Sequence, residues 1–275
     1  MLDIGNYNLL KVSRMTEGRY YLETDTDEIL LVCDTRKKKI DVGQMLEVFV
    51  YLDKDGSSIA TLSKPYAIAN QFAYLKVVGK NNFGAYMDWG IEQDLFVYSK
   101  AQDTEMNNGE SHVVFIRKDK FNNKIQGTSF LEQYADDDTS SLRKGEKVSL
   151  LIYRFTEIGI MAIVNQRFAG MLYVNECFEK LDVGDIREGF IKKLRDDGKL
   201  DLTLQGHIVK VLTDSQQVIL DMLKEAGGFL PYHDKSNADQ IKNVFSMSKK
   251  NFKKAVGGLY KERKIYIAEN GISLI

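Results

Sequence analysis

The chain has 275 residues, of which 44% are hydrophobic and 28% are charged. This much apolar material supports packed cores and excludes an intrinsically disordered chain. A domain typically holds about 100–200 residues, so two or more domains are expected. The 38 Lys and Arg against 39 Asp and Glu give a formal net charge of −1. That balance excludes a strongly basic chain that binds phosphate by bulk charge alone.

The start of the chain and its cysteines predict a cytoplasmic protein. Residues 1–12 lack the basic start and long apolar run of a signal peptide. No stretch approaches the ~18–20 apolar residues of a membrane span. The two cysteines stand in no paired motif, so neither a disulfide framework nor a zinc site is expected. We predict no membrane partner, no metal and no cofactor.

Three segments share one spacing: residues 9–64, 73–130 and 148–205. Each has a glycine near its start and a second glycine 25 residues later. These glycine pairs are Gly18 and Gly43, Gly84 and Gly109, and Gly159 and Gly184. An apolar pair lies between the two glycines of each copy: Leu30-Leu31, Phe96-Val97 and Met171-Leu172. Three copies without gaps indicate three similar domains.

Each copy has the pattern of short strands. Val48, Val50 and Leu52 alternate with the residues between them, which predicts a strand with one buried face. Turn residues at 53–56, 122–123 and 196–198 separate strand patterns. About five strands fit in each copy. Because so small a sheet removes its edges by closing, we predict three five-stranded barrels.

The second copy carries the most legible motif. It reads Phe-Gly-Ala-Tyr-Met at residues 83–87 and Leu-Phe-Val-Tyr-Ser at residues 95–99. This order resembles the S-one (S1) RNA-binding domain, an OB-fold barrel, and Val-Gly-Asp at 183–185 matches a further part of its pattern. The resemblance implies that Phe83 and Tyr86 stack on unpaired bases. Val97 stands at the position of the family's histidine.

The same spacing relates Phe83 to Glu17 in the first copy and Ile158 in the third, so neither copy has an aromatic residue there. It relates Tyr86 to Tyr20 in the first copy and Met161 in the third. A purely structural role is therefore open for the first barrel. Strand alternation predicts that Tyr86 faces outward if Met87 faces inward. The alternative for Tyr86 is packing in the core.

Basic residues of the second and third copies are predicted to contact RNA phosphates. The alternative is that they only keep hairpin loops solvated. In the second copy they are Lys76, Lys80, Arg117, Lys118 and Lys120, with Lys124 beside them; in the third they are Lys192, Lys193 and Arg195.

After Gly206 the hydrophobic period becomes helical. Val218, Ile219, Met222 and Leu223 predict a first helix that Asp214 or Ser215 caps. Ser236 to Asp239 resembles a capping box for a second helix through Phe245. Ser248 is expected to cap a third helix over residues 249–261, followed by a hairpin of residues 265–268 and 272–275. Three helices and a hairpin predict a winged helix-turn-helix.

The charge is polarised toward this last segment. Residues 206–275 carry a net charge of +4, from 11 Lys and Arg and 7 Asp and Glu, and residues 1–205 carry −5. Lys249, Lys250, Lys253 and Lys254 form a strip along one side of the predicted third helix. In helix-turn-helix proteins that helix faces nucleic acid. The alternative is a solvated helix surface. Base-reading Arg and Gln are absent from the start of this helix, which favours phosphate contacts.

The order of the four modules resembles the conserved virulence factor B family of bacterial RNA-binding proteins. The phrases that carry this resemblance lie at residues 59–65, 84–90, 233–236 and 248–257. The resemblance implies an RNA-binding regulator of gene expression rather than an enzyme. No phosphate-binding or dinucleotide-binding glycine motif is present. His233, Asp234 and Ser236 are expected to stabilise a loop rather than form a catalytic triad.

We therefore predict a mostly β, multidomain protein of three consecutive OB-fold (S1-like) barrels followed by an α+β winged helix. The expected domains are residues 1–64, 65–140, 141–207 and 208–275. The predicted function is post-transcriptional regulation by a cytoplasmic monomer that binds single-stranded RNA through stacking and phosphate contacts. The alternatives are a winged-helix DNA-binding regulator and a scaffold that contacts the ribosome or other proteins.

Overall fold

The structure is a computed structural model that describes residues 1–33, 40–119, 122–174, 177, 180–204 and 206–275. The side chains of residues 206–214 lie outside the description. Within the described part, the chain forms eighteen strands and three α-helices. None of those described helices is long and apolar enough to cross a membrane.

The first barrel is closed. Its strands are β1 (Asn6–Thr16), β2 (Arg19–Glu23), β3 (Glu28–Val32), β4 (Met45–Leu52) and β5 (Ser58–Thr61). They follow the order β1-β2-β3-β5-β4. Parallel pairing of β3 with β5, with Leu30 opposite Ile59, joins the third strand to the fifth. The core contains Val12, Leu22 and Val48.

The second barrel has the same strand order but is not fully closed by backbone pairing. Its strands are β6 (Phe72–Asn81), β7 (Gly84–Met87), β8 (Leu95–Tyr98), β9 (Ser111–Lys118) and β10 (Ile125–Thr128). They form a sheet in the order β10-β9-β6-β7-β8. The end strands β8 and β10 lie side by side. Gly127 of β10 packs so closely on the Val97 side chain that a Cβ at Gly127 would lie 2.7 Å from Val97 Cγ2.

The third barrel is closed in the same order as the first, β11-β12-β13-β15-β14. Its strands are β11 (Lys147–Phe155), β12 (Gly159–Val164), β13 (Phe168–Tyr173), β14 (Ile186–Leu194) and β15 (Leu200–Thr203). The predicted fold class of three consecutive OB-like barrels is therefore confirmed, with the second barrel only nearly closed.

The second glycine of each repeat lies in the turn directly before the fourth strand of its barrel. This turn is hydrogen-bonded to the first strand of the same barrel. In the second barrel Gly109 N donates to Val77 O at 2.9 Å, and Val77 N donates to Glu110 O at 2.8 Å. The same pair of bonds joins the turns at Gly43 and Gly184 to their first strands. The φ angles of Gly43, Gly109 and Gly184 are 89°, 88° and 94°, a region that glycine adopts without steric cost. The repeated spacing is thus explained by a repeated backbone turn.

Residues 1–137, 150–170 and 179–186 form one compact unit. In it, Phe49 of β4 packs edge-on against Trp89, with ring centroids 5.3 Å apart. Alternation along β4 predicts that Phe49 and Tyr51 face away from the first core, yet both are buried. They are buried because the second barrel covers that outer face and includes both rings in its own hydrophobic cluster.

A further cluster in the same unit packs residues 151–163 against the second barrel. It brings Leu151 and Tyr153 of β11 together with Phe72 of β6 and Phe115 of β9. Phe72 N also donates a hydrogen bond to Gln166 Oε1 at 2.7 Å. This face of the second barrel is therefore covered as well.

The second compact unit contains residues 138–149, 171–178 and 187–275. It includes α1 (Gly206–Glu225), β16 (Phe229–Leu230), α2 (Ala238–Phe245), α3 (Lys249–Lys261), β17 (Ile265–Ala268) and β18 (Gly271–Leu274). The predicted hairpin β17–β18 is present, and β16 adds a third strand in the order β16-β18-β17. Lys144 Nζ donates to Gln216 Oε1 at 3.1 Å and to Glu262 Oε1 at 2.7 Å, which links the middle of α1 and the end of α3 to the segment before β11.

Two predicted helix starts are wrong and one is confirmed. Helix α1 begins at Gly206, so Asp214 and Ser215 lie inside it and do not cap it. Asn237 caps α2 by accepting a hydrogen bond from Asp239 N at 2.8 Å. Ser236 instead accepts from His233 N and stabilises the loop. Ser248 caps α3 as predicted.

Replacing Gly5 with alanine should destabilise the protein more than the same change at Gly109. Both glycines have positive φ angles, 85° and 88°, which cost about 1–2 kcal/mol with a Cβ present. A Cβ at Gly5 would also lie 2.6 Å from Ile125 Cδ1 and 2.8 Å from Ala69 Cβ, whereas no described atom lies within 4 Å of one at Gly109. Overpacking of this kind adds about 1–3 kcal/mol.

The measurement is urea unfolding of both variants, followed by the fluorescence of Trp89, the single tryptophan. Equal losses of unfolding free energy for Gly5→Ala and Gly109→Ala would show that the contact between the two barrels is not tight.

Candidate nucleic-acid interface

A cleft of about 610 Å³ lies on the second barrel beside the first. Five aromatic residues line it; Tyr86 of β7 and Phe96 and Tyr98 of β8 form one cluster among them, and Tyr51 and Trp89, both buried, are the other two. The ring centroids of Tyr86 and Phe96 are 4.8 Å apart, and those of Phe96 and Tyr98 are 4.7 Å apart. Met87 is fully buried, so the predicted outward direction of Tyr86 is confirmed.

The glycine of the motif is what lets these rings cluster. A Cβ at Gly84 would lie 2.2 Å from Val97 O and 2.9 Å from Phe96 Cζ. Only a residue without a side chain allows β8 to run this close to β7 while the Phe96 ring lies across the strand.

Phe96 and Tyr98 are cleft residues that the sequence analysis did not identify. The motif comparison draws attention to Val97, but Val97 is fully buried in the barrel core. Because side chains alternate along β8, the aromatic residues on both sides of Val97 face the cleft. This alternation along β8 is the sequence signal that could have identified Phe96 and Tyr98 as cleft residues. Phe83 is 73% exposed on the turn between β6 and β7, outside the set of cleft-lining residues.

An irregularity in β6 decides what lies beside Tyr86. The pairing of β6 with β7 shifts between Val77 and Gly79, and Gly79 then lies opposite Tyr86. Such a bulge adds one residue and redirects the strand. Because Gly79 carries no side chain, it places nothing over the Tyr86 ring, and the contact from β6 to the Tyr86 side chain is a hydrogen bond from Asn81 Nδ2 to Tyr86 Oη at 3.1 Å.

In the first barrel an arginine side chain covers the aromatic ring at the equivalent position. The equivalent shift lies between Val12 and Arg14, and Arg14 lies opposite Tyr21. The Arg14 guanidinium lies over the Tyr21 ring, 3.9 Å from its centroid, and Arg14 Nε bonds Glu28 at 2.8 Å. The residue equivalent to Tyr86 is therefore Tyr21. The relation to Tyr20 that the spacing predicts is wrong, because Tyr20 is buried in the barrel core.

The third barrel has a less aromatic surface at this place. Its shift lies between Ile152 and Arg154, and Arg154 lies opposite Met161. Arg154 is held by Asp103 at 2.8 Å and Glu132 at 3.6 Å. The second barrel thus has an aromatic residue with a glycine opposite it, whereas the first and third barrels have an arginine opposite the equivalent residue.

Charged groups around the cleft carry both signs. Lys54 and Lys124 are its cationic lining, and Asp53, Glu92 and Asp94 are its anionic lining. Burial, together with the charge of Asp88, raises the pKa of the Asp94 carboxyl, and Lys54 acts in the opposite direction. Burial and the nearby charges of Glu92 and Asp53 raise the pKa of Tyr51 to about 12. Negatively charged groups are therefore attracted to the two lysines and repelled by the three acids.

The predicted cations of the second barrel are scattered. Lys76 is exposed on β6, and Lys80 pairs with Glu105 and donates to Asn107 Oδ1 at 3.1 Å. Lys118 lies 3.5 Å from Asp3 of the first barrel. Lys120 lies outside the described residues.

Arg117, predicted near the loop between the last two strands, lies in β9 just before that loop and contacts the lining of the cleft. Its Nη2 donates to Gln126 Oε1 at 3.0 Å, and Gln126 lines the cleft. Arg117 Nε is buried and has no hydrogen-bond partner among the described atoms.

The predicted cations of the third barrel have different surroundings. Lys193 is exposed, and Lys192 lies over the Tyr173 ring at 5.3 Å. Arg195 Nε donates to Asp201 Oδ1 at 2.8 Å, and Arg195 Nη2 donates to Tyr173 Oη at 2.6 Å. Arg195 is thus committed to a local network, whereas Lys193 is accessible to a ligand.

The predicted lysine strip of α3 lies on one surface. Phe252, Ala255, Val256 and Leu259 form the buried side of the helix. Lys250, Lys253 and Lys254 are exposed, and Lys249 at the first position is half-buried. The strip therefore provides a cationic surface that solvent can reach.

Three OB-like barrels, one with an open aromatic cleft, followed by a winged helix with a cationic third helix, define a multidomain protein built from nucleic-acid-binding folds. Residues 4–63 match the S1 domain, and residues 217–274 match the CvfB-like winged helix domain.

Relatives match along almost the whole of this chain and most of their own length. Conserved virulence factor B of Staphylococcus epidermidis is 26% identical over 98% of this chain and 94% of its own length. The uncharacterized protein YitL of Bacillus subtilis is 26% identical over 97% of this chain and 92% of its own length. The predicted resemblance to the conserved virulence factor B family is therefore confirmed.

A solved structure is also similar. It is the crystal structure of a multidomain protein with nucleic acid binding domains from Streptococcus pneumoniae, 22% identical, which covers 99% of this chain and 98% of that chain with a TM-score of 0.44.

Arg195→Ala should destabilise the protein, whereas Lys193→Ala should not. Removing Arg195 leaves the Asp201 carboxylate, whose side chain is 11% exposed, without its charged partner, at a cost of about 1–3 kcal/mol. Lys193 is exposed on β14 and serves as the matched control. Thermal unfolding of both variants measures the difference. Identical midpoints would contradict a structural role for Arg195.

Proposed function

We propose that the chain binds single-stranded RNA and acts as a cytoplasmic post-transcriptional regulator of gene expression. In this proposal the bases stack in the cleft of the second barrel, and lysines, including those of α3, neutralise phosphates. The protein binds as a monomer and breaks no bond. The observation that carries the proposal is the cleft-lining cluster of Tyr86, Phe96 and Tyr98 in an OB-like barrel, in which Tyr98 is exposed and the other two rings are half-buried.

Physical chemistry supports a single strand as the ligand of this cleft. An unpaired base offers a flat face to an aromatic ring, and each stacked base contributes about 1–3 kcal/mol. The bases of a duplex are already stacked on each other and present no free face. Stacking does not depend on which base is bound, so this lining suits a strand of mixed sequence.

A second candidate function is duplex DNA binding by the winged helix. The observation that favours it is the exposed lysine strip of α3, since the third helix of this fold lies against nucleic acid in many proteins. Lysines that contact phosphates carry no sequence information. We therefore assign the strip to a contribution that does not distinguish sequences.

Tyr86→Ala combined with Phe96→Ala should weaken the binding of single-stranded RNA by about thirtyfold to ten-thousandfold. The loss of two stacking surfaces, each contributing about 1–3 kcal/mol, gives this range. The assay is fluorescence anisotropy of a labelled oligouridine of about 12 nucleotides, within the range of OB-fold site sizes. Circular dichroism controls for folding. Unchanged affinity in a folded variant would refute the stacking assignment.

Phe83→Ala, alone and combined with Tyr86→Ala, separates the exposed turn residue from the cleft residues. A loss confined to variants that lack Tyr86 or Phe96 places Phe83 outside the binding surface. Gly79→Arg gives an independent control, because it copies the arginine that lies over Tyr21 in the first barrel. It should weaken RNA binding although it adds a positive charge, whereas Gly79→Ala should bind normally.

Replacing Lys249, Lys250, Lys253 and Lys254 together by glutamine should flatten the dependence of RNA affinity on salt. Each lost phosphate contact lowers the slope of log affinity against log salt by about 0.7 for a single strand. Titrations at two salt concentrations, with single-stranded RNA and with duplex DNA of equal length, measure this. A preference for duplex DNA would favour the second candidate function. An unchanged slope would refute a role for the strip, and no salt-dependent binding to either ligand would favour a protein scaffold.

A further inference from the structure

The first barrel lacks an open stacking surface of its own. Arg14 covers Tyr21, and Glu28 holds Arg14 in that position. Leu30 and Val32 are the residues of β3 that correspond to Phe96 and Tyr98 of β8, because Leu30 pairs with Tyr21 as Phe96 pairs with Tyr86. Aliphatic side chains offer no flat aromatic face to a base.

The end of β4 and the turn that follows it in the first barrel nevertheless line the cleft of the second. Tyr51, Leu52, Asp53 and Lys54 form part of its lining. Asp53 is already used within the turn, where its Oδ1 accepts from Asp55 N and Ser57 N at 2.9 Å each. These two hydrogen bonds fix the conformation of the turn. Lys54 is exposed and is the cationic side chain that the turn contributes to the cleft.

Residues 51–54 form a wall of the cleft. Hydrogen bonds as well as packing hold this wall against the second barrel. Gln93 Nε2 donates to Leu52 O at 2.9 Å. Glu92 Oε1 accepts from Ser63 Oγ at 2.7 Å and from Thr61 Oγ1 at 3.1 Å. These bonds join the residues just before β8 to the first barrel. The wall is therefore attached to the same segment that leads into Phe96.

Charge determines where a nucleic-acid strand can lie in this cleft. Three of its lining residues are acidic, and its lysines come from different barrels, Lys54 from the first and Lys124 from the second. The negative phosphates of a strand in the cleft are attracted to these lysines and repelled by the acids.

We propose that the first barrel is a wall of the binding site in the second barrel rather than a separate RNA-binding module. Lys54 contacts a phosphate of the strand whose bases stack on Tyr86, Phe96 and Tyr98. The two barrels thus act as one binding unit for a single strand. This inference rests on the proposed function.

The test is Lys54→Ala in the full chain, with the labelled oligouridine as the probe. We expect a three- to tenfold loss of affinity, as for one charged hydrogen bond at an exposed site, and a salt slope lower by about 0.7. Lys124→Ala should give a similar loss. Lys11→Ala is the matched control, because Lys11 is also an exposed lysine of the first barrel but lies outside the cleft lining.

Two results overturn the inference in distinguishable ways. If Tyr86→Ala with Phe96→Ala weakens binding while Lys54→Ala binds like Lys11→Ala, the cleft binds RNA and the first barrel takes no part in it. If the unmodified chain shows no salt-dependent binding of the oligouridine, the proposed function fails and this inference fails with it. Lys54 is exposed on a turn, so unchanged thermal unfolding of Lys54→Ala is expected and confirms that the fold is intact.

Discussion

Two hydrogen bonds between a glycine turn and the first strand organise each barrel, and the candidate site depends on them. In the second barrel they join Gly109 and Glu110 to Val77, the last residue of β6 before its pairing with β7 shifts. Up to this point β6 pairs with β9, and beyond the shift it pairs with β7 alone. The turn thus fixes where the strand changes partner. The position of the bulge in turn decides which residue lies beside Tyr86.

One backbone geometry therefore gives three different surfaces. The bulge presents Arg14, Gly79 or Arg154 at equivalent places. An arginine there covers a neighbouring ring or pairs with carboxylates, and a glycine leaves the ring open to solvent. Binding capacity can thus be gained or lost by one substitution while the barrel itself stays the same, because the hydrogen bonds that build it involve only main-chain atoms.

The sequence predicts the architecture better than the site, for physical reasons. A positive φ demands glycine, so the turns leave a visible spacing of Gly43, Gly109 and Gly184. A bulge leaves no comparable spacing in the sequence. Without the bulge, the residue equivalent to Tyr86 is assigned one position too early, to Tyr20 instead of Tyr21. Packing between barrels is invisible to strand alternation as well, which is why Phe49 is buried on a face that the pattern assigns to the outside. The first error concerns a local irregularity within the β1–β2 hairpin, and the second concerns a contact with a barrel that is distant in sequence.

Under the proposed function, the net charge of −1 conceals two contributions to binding that respond differently to salt. The cleft of the second barrel combines an aromatic cluster with two lysines and three acids, so its proposed contribution comes from stacking as well as from phosphate contacts of the two lysines, and it falls less steeply with ionic strength. The surface of α3 has lysines and no exposed aromatic cluster among its first two turns, so its contribution comes from counterion release and falls steeply as salt rises. At high salt, binding should therefore depend on Tyr86 and Phe96 while the lysines of α3 become unimportant. At low salt both sets contribute, and substitution of either leaves measurable affinity.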